Sequence, residues 1–132
     1  MHLIIDGYSA NQKILQDMDS LKHWLETYPS EIGMTRISSP YVLRYVGSKS
    51  EDWGISGFVF IAESHISVHT FAESNYVNID IFSCRDFDAD KAIKDLRDKF
   101  QLAKLRTCLI NREWSAEFAA VANLPNFVYH GE

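Results

Sequence analysis

Residues 65–84 read "HISVHTFAESNYVNIDIFSC", and the fold can be worked out from this stretch. Two runs within it, 65–71 and 76–84, alternate between apolar and polar residues and are rich in β-branched and aromatic side chains. A period of two is typical of a β-strand with one buried face. The four residues between the runs, "AESN", suit a short hairpin connection. The stretch therefore predicts two antiparallel strands joined by a tight turn.

The period of two also assigns each side chain of this hairpin to one of two faces. One face is apolar, and we expect helices to cover it. The other is dense in histidine, carboxylate, amide and thiol groups, which is unusual for a plain solvated surface because Phe and Cys gain little in water. The apolar face would hold Ile66, Val68, Thr70, Val77, Ile79 and Ile81, and the polar face His65, Ser67, His69, Tyr76, Asn78, Asp80, Phe82 and Cys84.

The flanking segments extend the hairpin into a sheet with two helices. Apolar residues recur at helical spacing over 14–28, and Pro29 is expected to end that helix. A second amphipathic helix is predicted within 86–100, with Asp86 or Asp88 as its cap. Further strands are predicted at 2–8, 41–46, 55–63 and 104–110.

The predicted strands follow one another through short connections, which favours an antiparallel sheet. No internal repeat, low-complexity tract or linker divides the 132 residues. We therefore predict one domain over residues 1–132 with an α+β fold. It would be a two-layer sandwich in which an antiparallel sheet is covered on one face by helices.

Composition and charge limit the classes of function. The formal net charge is −5, and the 13 Lys and Arg residues form no basic run, which argues against a nucleic-acid partner. No segment approaches the roughly 20 apolar residues of a membrane span, and "MHLIIDGYSA" lacks the basic region of a signal peptide. Cys84 and Cys108 show no zinc-site spacing. We expect a cytoplasmic protein with free thiols that binds neither nucleic acid nor membrane.

Two chemical roles for the polar face are disfavoured by spacing. His65 and His69 stand about 13 Å apart by strand rise, too far to share one metal ion. A Ser/His/Asp hydrolase is also disfavoured, because the chain has no G-x-S-x-G motif. The residues alone therefore mark a candidate reaction center in "AESHISVHT" (62–70) without saying what it does.

A longer block carries a specific resemblance. Residues 54–84, "GISGFVFIAESHISVHTFAESNYVNIDIFSC", resemble the central block of the prokaryotic S-adenosylmethionine decarboxylases, small pyruvoyl-dependent enzymes of polyamine synthesis. In that family the block reads approximately G-V-S-G-V-V-V-I-[AS]-E-S-H-[LI]-[ST]-I-H-T-W-P-E, then G-Y-x-x-V-D-[VI]-F-T-C. "HLIIDGY" (2–8) resembles the family's opening strand, and the likeness covers roughly residues 2–110.

The resemblance implies that the chain cuts itself between Glu63 and Ser64. The Ser64 hydroxyl would attack the Glu63 carbonyl in an N→O acyl shift, and loss of the Ser64 α-proton would then expel Glu63 as a carboxylate. The residue left behind would hydrolyse to a pyruvoyl group, which is the cofactor. Residues 1–63 and 64–132 would become two chains of one fold.

The same resemblance gives roles to further residues. Ser56 would place a hydroxyl near the intermediate of the acyl shift. His69 would remove the α-proton, a role that suits histidine because this residue type can hold or release a proton near neutral pH. Cys84 would reprotonate the substrate carbon after CO2 leaves, since a thiol holds a proton at pH 7 and can give it up. Glu73 would bind the ribose hydroxyls of the nucleoside.

The chain departs from the family pattern around the substrate. Phe71 stands where the family has Trp, and Ser50 stands where the family has an aromatic residue that stacks on adenine. Trp53 could supply that ring, so we assign Phe71 and Trp53, with Glu73, to substrate binding. Glu51 and Asp52 form either a solvated acidic turn or a site for a cationic substrate end.

These observations leave three functions to compare. S-adenosylmethionine is the favoured small-molecule substrate, and the alternatives are a pyruvoyl-dependent arginine or ornithine decarboxylase and a non-processing, ligand-binding or regulatory homologue. The resemblance also implies a homodimer with sites near its interface. The stripe of Trp114, Phe118 and Val121 at helical spacing is interpreted as a packing or dimer element.

Overall fold

A computed structural model describes residues 1–112 of the chain, so the predicted stripe from Trp114 to Val121 lies outside the described residues. Two α-helices, α1 (Met18–Glu31) and α2 (Ala89–Lys99), pack on one face of a six-stranded sheet. The strands are β1 (His2–Ser9), β2 (Tyr41–Val46), β3 (Trp53–Ile61), β4 (Ser64–Phe71), β5 (Tyr76–Ser83) and β6 (Leu102–Ile110).

All neighbouring strands are antiparallel, and their order across the sheet is β2-β3-β4-β5-β1-β6. The α+β two-layer sandwich predicted from the sequence is therefore confirmed. The quoted stretch forms the central hairpin, β4 and β5, with Ser67 opposite Asp80 and Val68 opposite Ile79. A single 3-10 turn joins the two strands and ends at Asn75, whose φ of 54° is a left-handed conformation that Asn tolerates well.

The predicted apolar face of the hairpin is the centre of the core. Ile66, Val68, Val77, Ile79 and Ile81 are each at most 1% exposed. Burying an aliphatic side chain of this size contributes about 1.5–3 kcal/mol. The helices complete the core with Leu21, Trp24, Leu25 and Tyr28 from α1 and Ala92 and Leu96 from α2.

Aspartates set where both helices begin. The Asp17 carboxylate accepts a hydrogen bond from the Ser20 N–H at 2.9 Å, so α1 starts four residues later than the apolar spacing predicts. Residues Gln12–Gln16 form a separate 3-10 turn instead. At α2 the cap is Asp88, one of the two predicted residues, which accepts from the Lys91 N–H at 2.9 Å.

The prediction that Pro29 ends the first helix is wrong by two residues. Pro29 lies inside α1, buried in its last turn. A proline so near the end removes only one helical hydrogen bond. Its carbonyl oxygen accepts from the N–H groups of Ile32 and Met34, which close the helix after Glu31.

The second face of the sheet, called the open face below, is not covered by any of residues 1–112. Strand alternation and register place the polar residues of the hairpin there, as predicted. The open face also carries large apolar side chains that are more than a third exposed: Tyr8, Tyr41, Leu43, Tyr45, Phe58, Phe60, Phe71 and Ile110. Within the described part of the chain, neither α-helix is long and apolar enough to cross a membrane.

Candidate active site

A tight turn joins β3 to β4 at the predicted cleavage point. Ile61 pairs with Ser64, so residues 62 and 63 alone form the turn. Ser64 has a φ of 152°, a conformation that residues with a side chain rarely adopt and that stores strain. Strand β4 therefore begins with a bend at Ser64.

Glu63 is held at both its carbonyl and its carboxylate. The Cys84 N–H donates to the Glu63 carbonyl oxygen at 2.8 Å. The side chain is 4% exposed, and its Oε2 accepts from the Thr35 N–H at 3.1 Å. Its Oε1 lies 3.9 Å from the Arg85 guanidinium. The carbonyl that Ser64 would attack is thus fixed in place by a backbone donor.

Cys84 lies beside this turn because it follows the last residue of β5. Ser64 pairs with Ser83, and Cys84 comes immediately after Ser83. The Cys84 side chain is exposed, and its thiol is free. We call Glu63, Ser64 and Cys84 the cleavage cluster.

A second group of predicted residues lies further along β3 and β4. Ser56 pairs with His69 across the two strands, and the Ser56 hydroxyl and the His69 Nδ1 are 2.9 Å apart in a hydrogen bond. Either group can donate, depending on which tautomer of the imidazole is present. His69 is exposed on the open face. We call Ser56 and His69 the histidine cluster.

The predicted substrate-binding residues lie at the same end of the sheet as the histidine cluster. Phe71 is 46% exposed on the open face, with its ring 5.6 Å from that of Tyr76. The Trp53 indole N–H donates to the Glu73 carboxylate at 2.9 Å. One face of the Trp53 ring is occupied by the Arg44 guanidinium, 4.2 Å from its centroid, and the ring packs against the core.

The two clusters are separated along β4. Ser64 begins the strand and His69 stands five residues further on, which is about 17 Å at the rise of a β-strand. A histidine ring spans only a small part of that distance. Within one chain, therefore, Ser56 and His69 do not meet Ser64, whereas Glu63 and Cys84 do.

A row of polar side chains continues the histidine cluster across the open face. Asn78 stands opposite His69 on β5, and its amide donates to the Asp6 carboxylate on β1. Arg106 on β6 donates to the other Asp6 oxygen at 2.8 Å, and this bond raises the pKa of Arg106. A carboxylate only accepts hydrogen bonds, so the Asn78 NH2 must face Asp6 and its carbonyl oxygen must face away.

His65, next to Ser64, has an unusual environment on the open face. Its ring meets the edge of Phe82 at 5.6 Å between centroids. Partial burial lowers the pKa of His65, and the nearby His2 and Arg112 lower it further, while Asp80 opposes them. His2 is itself bound to Asp80 at 2.8 Å. Together these surroundings favour the neutral form of the His65 imidazole.

Comparison with known proteins places this geometry in a family. The family model described as S-adenosylmethionine decarboxylase matches residues 1–113. The chain belongs to the S-adenosylmethionine decarboxylase family. The resemblance predicted from residues 54–84 is thereby confirmed over most of the chain.

Individual members of the S-adenosylmethionine decarboxylase family match at similar levels. The S-adenosylmethionine decarboxylase proenzyme of Archaeoglobus fulgidus is 30% identical over 112 residues, covering 84% of this chain and 95% of that protein. The proenzyme of Synechococcus sp. strain WH7803 is 30% identical over 125 residues, covering 94% and 93%. The crystal structure of the Aquifex aeolicus adenosylmethionine decarboxylase shares the fold, with a TM-score of 0.64 at 21% identity over 86% of this chain and 94% of that one.

Three features of this S-adenosylmethionine decarboxylase family member were not predicted: Thr35, Arg85 and the hydrogen bonds that link Asn78 through Asp6 to Arg106. Thr35 contributes a backbone N–H, so no side-chain pattern could reveal it. Arg85 follows Cys84 directly, and a cation next to the residue predicted to donate a proton could have marked Arg85 as part of the site. Among residues 1–112 no group of three or more His, Cys, Asp or Glu side chains could hold a metal ion.

Proposed function

We propose that this chain cleaves itself between Glu63 and Ser64 and then decarboxylates S-adenosylmethionine with a pyruvoyl group derived from Ser64. The observation that carries the proposal is the strained turn at Ser64, with the Glu63 carbonyl held by the Cys84 N–H at 2.8 Å. Membership of a family whose relatives are named proenzymes supports it.

Cleavage would begin with an N→O acyl shift. The Ser64 oxygen bonds to the Glu63 carbonyl carbon, the C–N bond breaks, and the proton lost by the hydroxyl ends on the freed amine. Negative charge develops on the carbonyl oxygen during the attack, where the Cys84 N–H already donates. A preorganised donor at a developing oxyanion is one of the strongest catalytic devices in proteins. Relief of strain at Ser64 favours the same step.

Elimination would complete the cut. A base removes the Ser64 α-proton, the ester C–O bond breaks, and Glu63 departs as a carboxylate. The dehydroalanine left at residue 64 gains water and loses ammonia to give the pyruvoyl group. His69 suits the base because its hydrogen bond to Ser56 orients the ring and because imidazole is a common general base in proteins.

His69 can act on Ser64 only if it comes from a second copy of the chain. The two residues are about 17 Å apart on one straight strand, whereas proton transfer needs hydrogen-bond reach. In a two-fold dimer that joins the open faces, the start of β4 in one protomer can lie against the histidine cluster of its partner, and the reverse holds by symmetry. Each dimer would then contain two complete sites.

The open face has the surface that such a dimer requires. It exposes eight large apolar side chains, and contiguous apolar surface on a soluble protein marks an interaction site. The Phe58 and Phe60 rings lie edge to face with 5.2 Å between their centroids, and the Tyr41 ring lies beside Phe58. These three side chains belong to β3 and to the edge strand β2. We therefore assign this face to the homodimer interface.

Decarboxylation would use the cleavage cluster again, together with predicted substrate-binding residues. A pyruvoyl group at residue 64 would supply the electron sink for the breaking C–C bond of the substrate. Cys84, exposed beside residue 64, would hold the proton that returns to the substrate carbon. Phe71 offers an exposed ring and Glu73 an exposed carboxylate for the nucleoside. The product would supply polyamine synthesis in the cytoplasm, the setting implied by the family.

Two measurements test the reaction. Intact mass of the purified protein should give two chains that end and begin at the Glu63–Ser64 bond, the second of them with a pyruvoyl terminus. Release of CO2 should occur with S-adenosylmethionine and not with arginine or ornithine assayed alongside. A single stable chain of 132 residues that releases no CO2 would overturn the proposal.

A mixing experiment tests the shared site. His69→Ala and Ser64→Ala chains carry different tags and are produced alone or together. Alone, neither should be cleaved. Together, the His69→Ala chain should be cleaved, because its Ser64 meets the His69 of the other chain. Absence of cleavage in verified mixed dimers would show that His69 acts within its own chain or not at all.

A further inference from the structure

The Glu63 carboxylate is buried and fully engaged. At 4% exposure it is among the buried polar groups of the described chain, and carboxylates are rarely so buried unless they are paired. One oxygen takes the Thr35 N–H at 3.1 Å, and the other faces Arg85 at 3.9 Å. Both oxygens therefore face partners other than Ser64.

The segment that holds the carboxylate also runs along the turn. The Ala62 N–H donates to the Thr35 carbonyl at 2.8 Å, and Arg36 forms an isolated β-bridge with Ile61. Further along, the Ile37 N–H donates to the Phe60 carbonyl at 3.0 Å. The chain after α1 thus pairs with the end of β3 and supplies an anchor for Glu63.

The turn is held from its other side by the chain after β5. There the Cys84 N–H binds the Glu63 carbonyl, and Arg85 faces the Glu63 side chain. Two separate segments, the chain after α1 and the chain after β5, therefore contact Glu63 at its carbonyl and at its side chain. Between them they keep the next residue, Ser64, at its rare φ of 152°.

We propose that the Glu63 carboxylate, gripped by Thr35 and Arg85, is a positioning residue for self-cleavage. It acts through placement: anchoring the side chain fixes the rotation of the Glu63 carbonyl, so that its carbon faces the Ser64 hydroxyl and its oxygen meets the Cys84 N–H. The proposal rests on the self-cleavage proposed above and concerns its first step, the acyl shift. Misplacement of a reacting group by about 1 Å can slow a reaction on the order of 100-fold.

The experiment follows cleavage of newly made chains in a cell-free translation, with and without hydroxylamine, which cuts esters. Glu63→Gln keeps an oxygen that can accept from the Thr35 N–H. Glu63→Asp keeps the charge but shortens the side chain by one methylene, and Glu63→Leu removes the anchor. Glu26→Leu, at an exposed position on α1, makes the same substitution away from the turn and is the matched control.

Cleavage rates should depend on whether the side chain at position 63 can reach the Thr35 N–H, and not on the charge of that side chain. We expect Glu63→Leu to be slower by about 100-fold and Glu63→Asp by about tenfold, with Glu63→Gln least affected and Glu26→Leu unchanged. Hydroxylamine should not speed the slow variants, because the blocked step precedes the ester. In His69→Ala, by contrast, hydroxylamine should release the chains, because the block follows the ester.

The outcomes separate this inference from the function it rests on. If the unaltered chain never breaks, self-cleavage and the positioning role both fail. If the unaltered chain breaks and Glu63→Leu breaks equally fast, only the positioning role fails. Rapid hydroxylamine cleavage of Glu63→Leu would also overturn it. If Glu63→Leu does not fold, the comparison of Glu63→Asp with Glu63→Gln tests the proposal. Faster cleavage in Glu63→Asp than in Glu63→Gln would contradict it.

Discussion

The two ends of β4 are built in different ways. At its start, the cleavage cluster depends on backbone groups: the Cys84 N–H holds the Glu63 carbonyl, and the Thr35 N–H holds the Glu63 carboxylate. Towards its other end, the histidine cluster depends on a contact between side chains, the hydrogen bond between Ser56 and His69. The start of the strand fixes a peptide bond in place, whereas the other end presents proton-transfer groups at the surface.

This difference indicates what substitution can do at each end. Backbone donors survive any side-chain change other than proline, so the cleavage cluster should be disabled only through the reacting atoms or through the Glu63 side chain that the Thr35 N–H holds. The histidine cluster has no such protection, and a single truncation should remove its function. The following predictions test that contrast, from the largest effect to the smallest.

Ser64→Ala should have the largest effect. It removes the attacking oxygen and leaves the fold and the neighbouring donors intact, so we expect both cleavage and decarboxylation to fall by on the order of 10⁴-fold or more. Mass spectrometry and CO2 release measure the two activities. A broken chain in this variant would show that the Ser64 hydroxyl is not the nucleophile.

His69→Ala should slow cleavage by about 10²–10⁴-fold, the usual contribution of a general base. The acyl shift does not need this base, so the ester should accumulate. Ser56→Ala should have a smaller effect, since it loosens the histidine without removing it. Cleavage kinetics with hydroxylamine trapping check both variants, and fast, complete processing of His69→Ala would remove this residue from the mechanism.

Cys84→Ala should separate the two activities of the cleavage cluster. Cleavage should continue, because the N–H that binds the Glu63 carbonyl belongs to the backbone. Decarboxylation should fall by about 10²-fold, because the acid that returns a proton is gone. Cys108→Ala is the matched control, since Cys108 is the other free and exposed cysteine. Normal turnover in Cys84→Ala would contradict the assigned role.

Phe60→Asp should weaken the dimer and, with it, the shared site. Phe60 is 51% exposed on the open face, and a charge buried there on assembly should raise the dimer dissociation constant by about 30-fold or more. Sedimentation measures the dissociation constant and cleavage assays the site. Met18→Asp, at a 41% exposed position on α1, is the control. An unchanged dimer in Phe60→Asp would place the interface elsewhere.

His65→Gln should have the smallest effect, on the pH dependence of stability. The folded protein lowers the pKa of His65, so below about pH 6.5 the unfolded chain binds more protons and stability falls. This loss is absent above that pH, grows as the pH falls towards the folded pKa, and then levels. Glutamine should flatten that part of the curve, measured by chemical denaturation at several pH values. An identical curve in both proteins would contradict the assignment.

The fold could be predicted where it depends on local periodicity. Alternation in 65–71 and 76–84 predicted both strands and both of their faces, because a one-residue error would have moved every apolar side chain into water. The start of α1 could not be predicted from apolar spacing alone, because the Asp17 cap interrupts a pattern that continues on either side of it.

One feature of the arrangement of the candidate site could be predicted from the sequence, and another could not. The strand rise that disfavours a metal between His65 and His69 also separates Ser64 from His69. That separation could be calculated from the sequence positions alone. The hydrogen bond from the Thr35 N–H to the Glu63 carboxylate could not be predicted. It depends on where the chain runs after α1, and its donor is a backbone group.

The order of the strands gives self-cleavage a consequence for folding. A cut after Glu63 would leave β1, β2 and β3 on one chain and β4, β5 and β6 on the other, yet β1 lies between β5 and β6 in the sheet. The two chains would therefore be interleaved at three strand boundaries, and neither would hold a complete sheet. Once unfolded, they would have to find each other in solution, so refolding would depend on protein concentration. The uncut chain could therefore form this structure easily, whereas the two separate products of the cut could not.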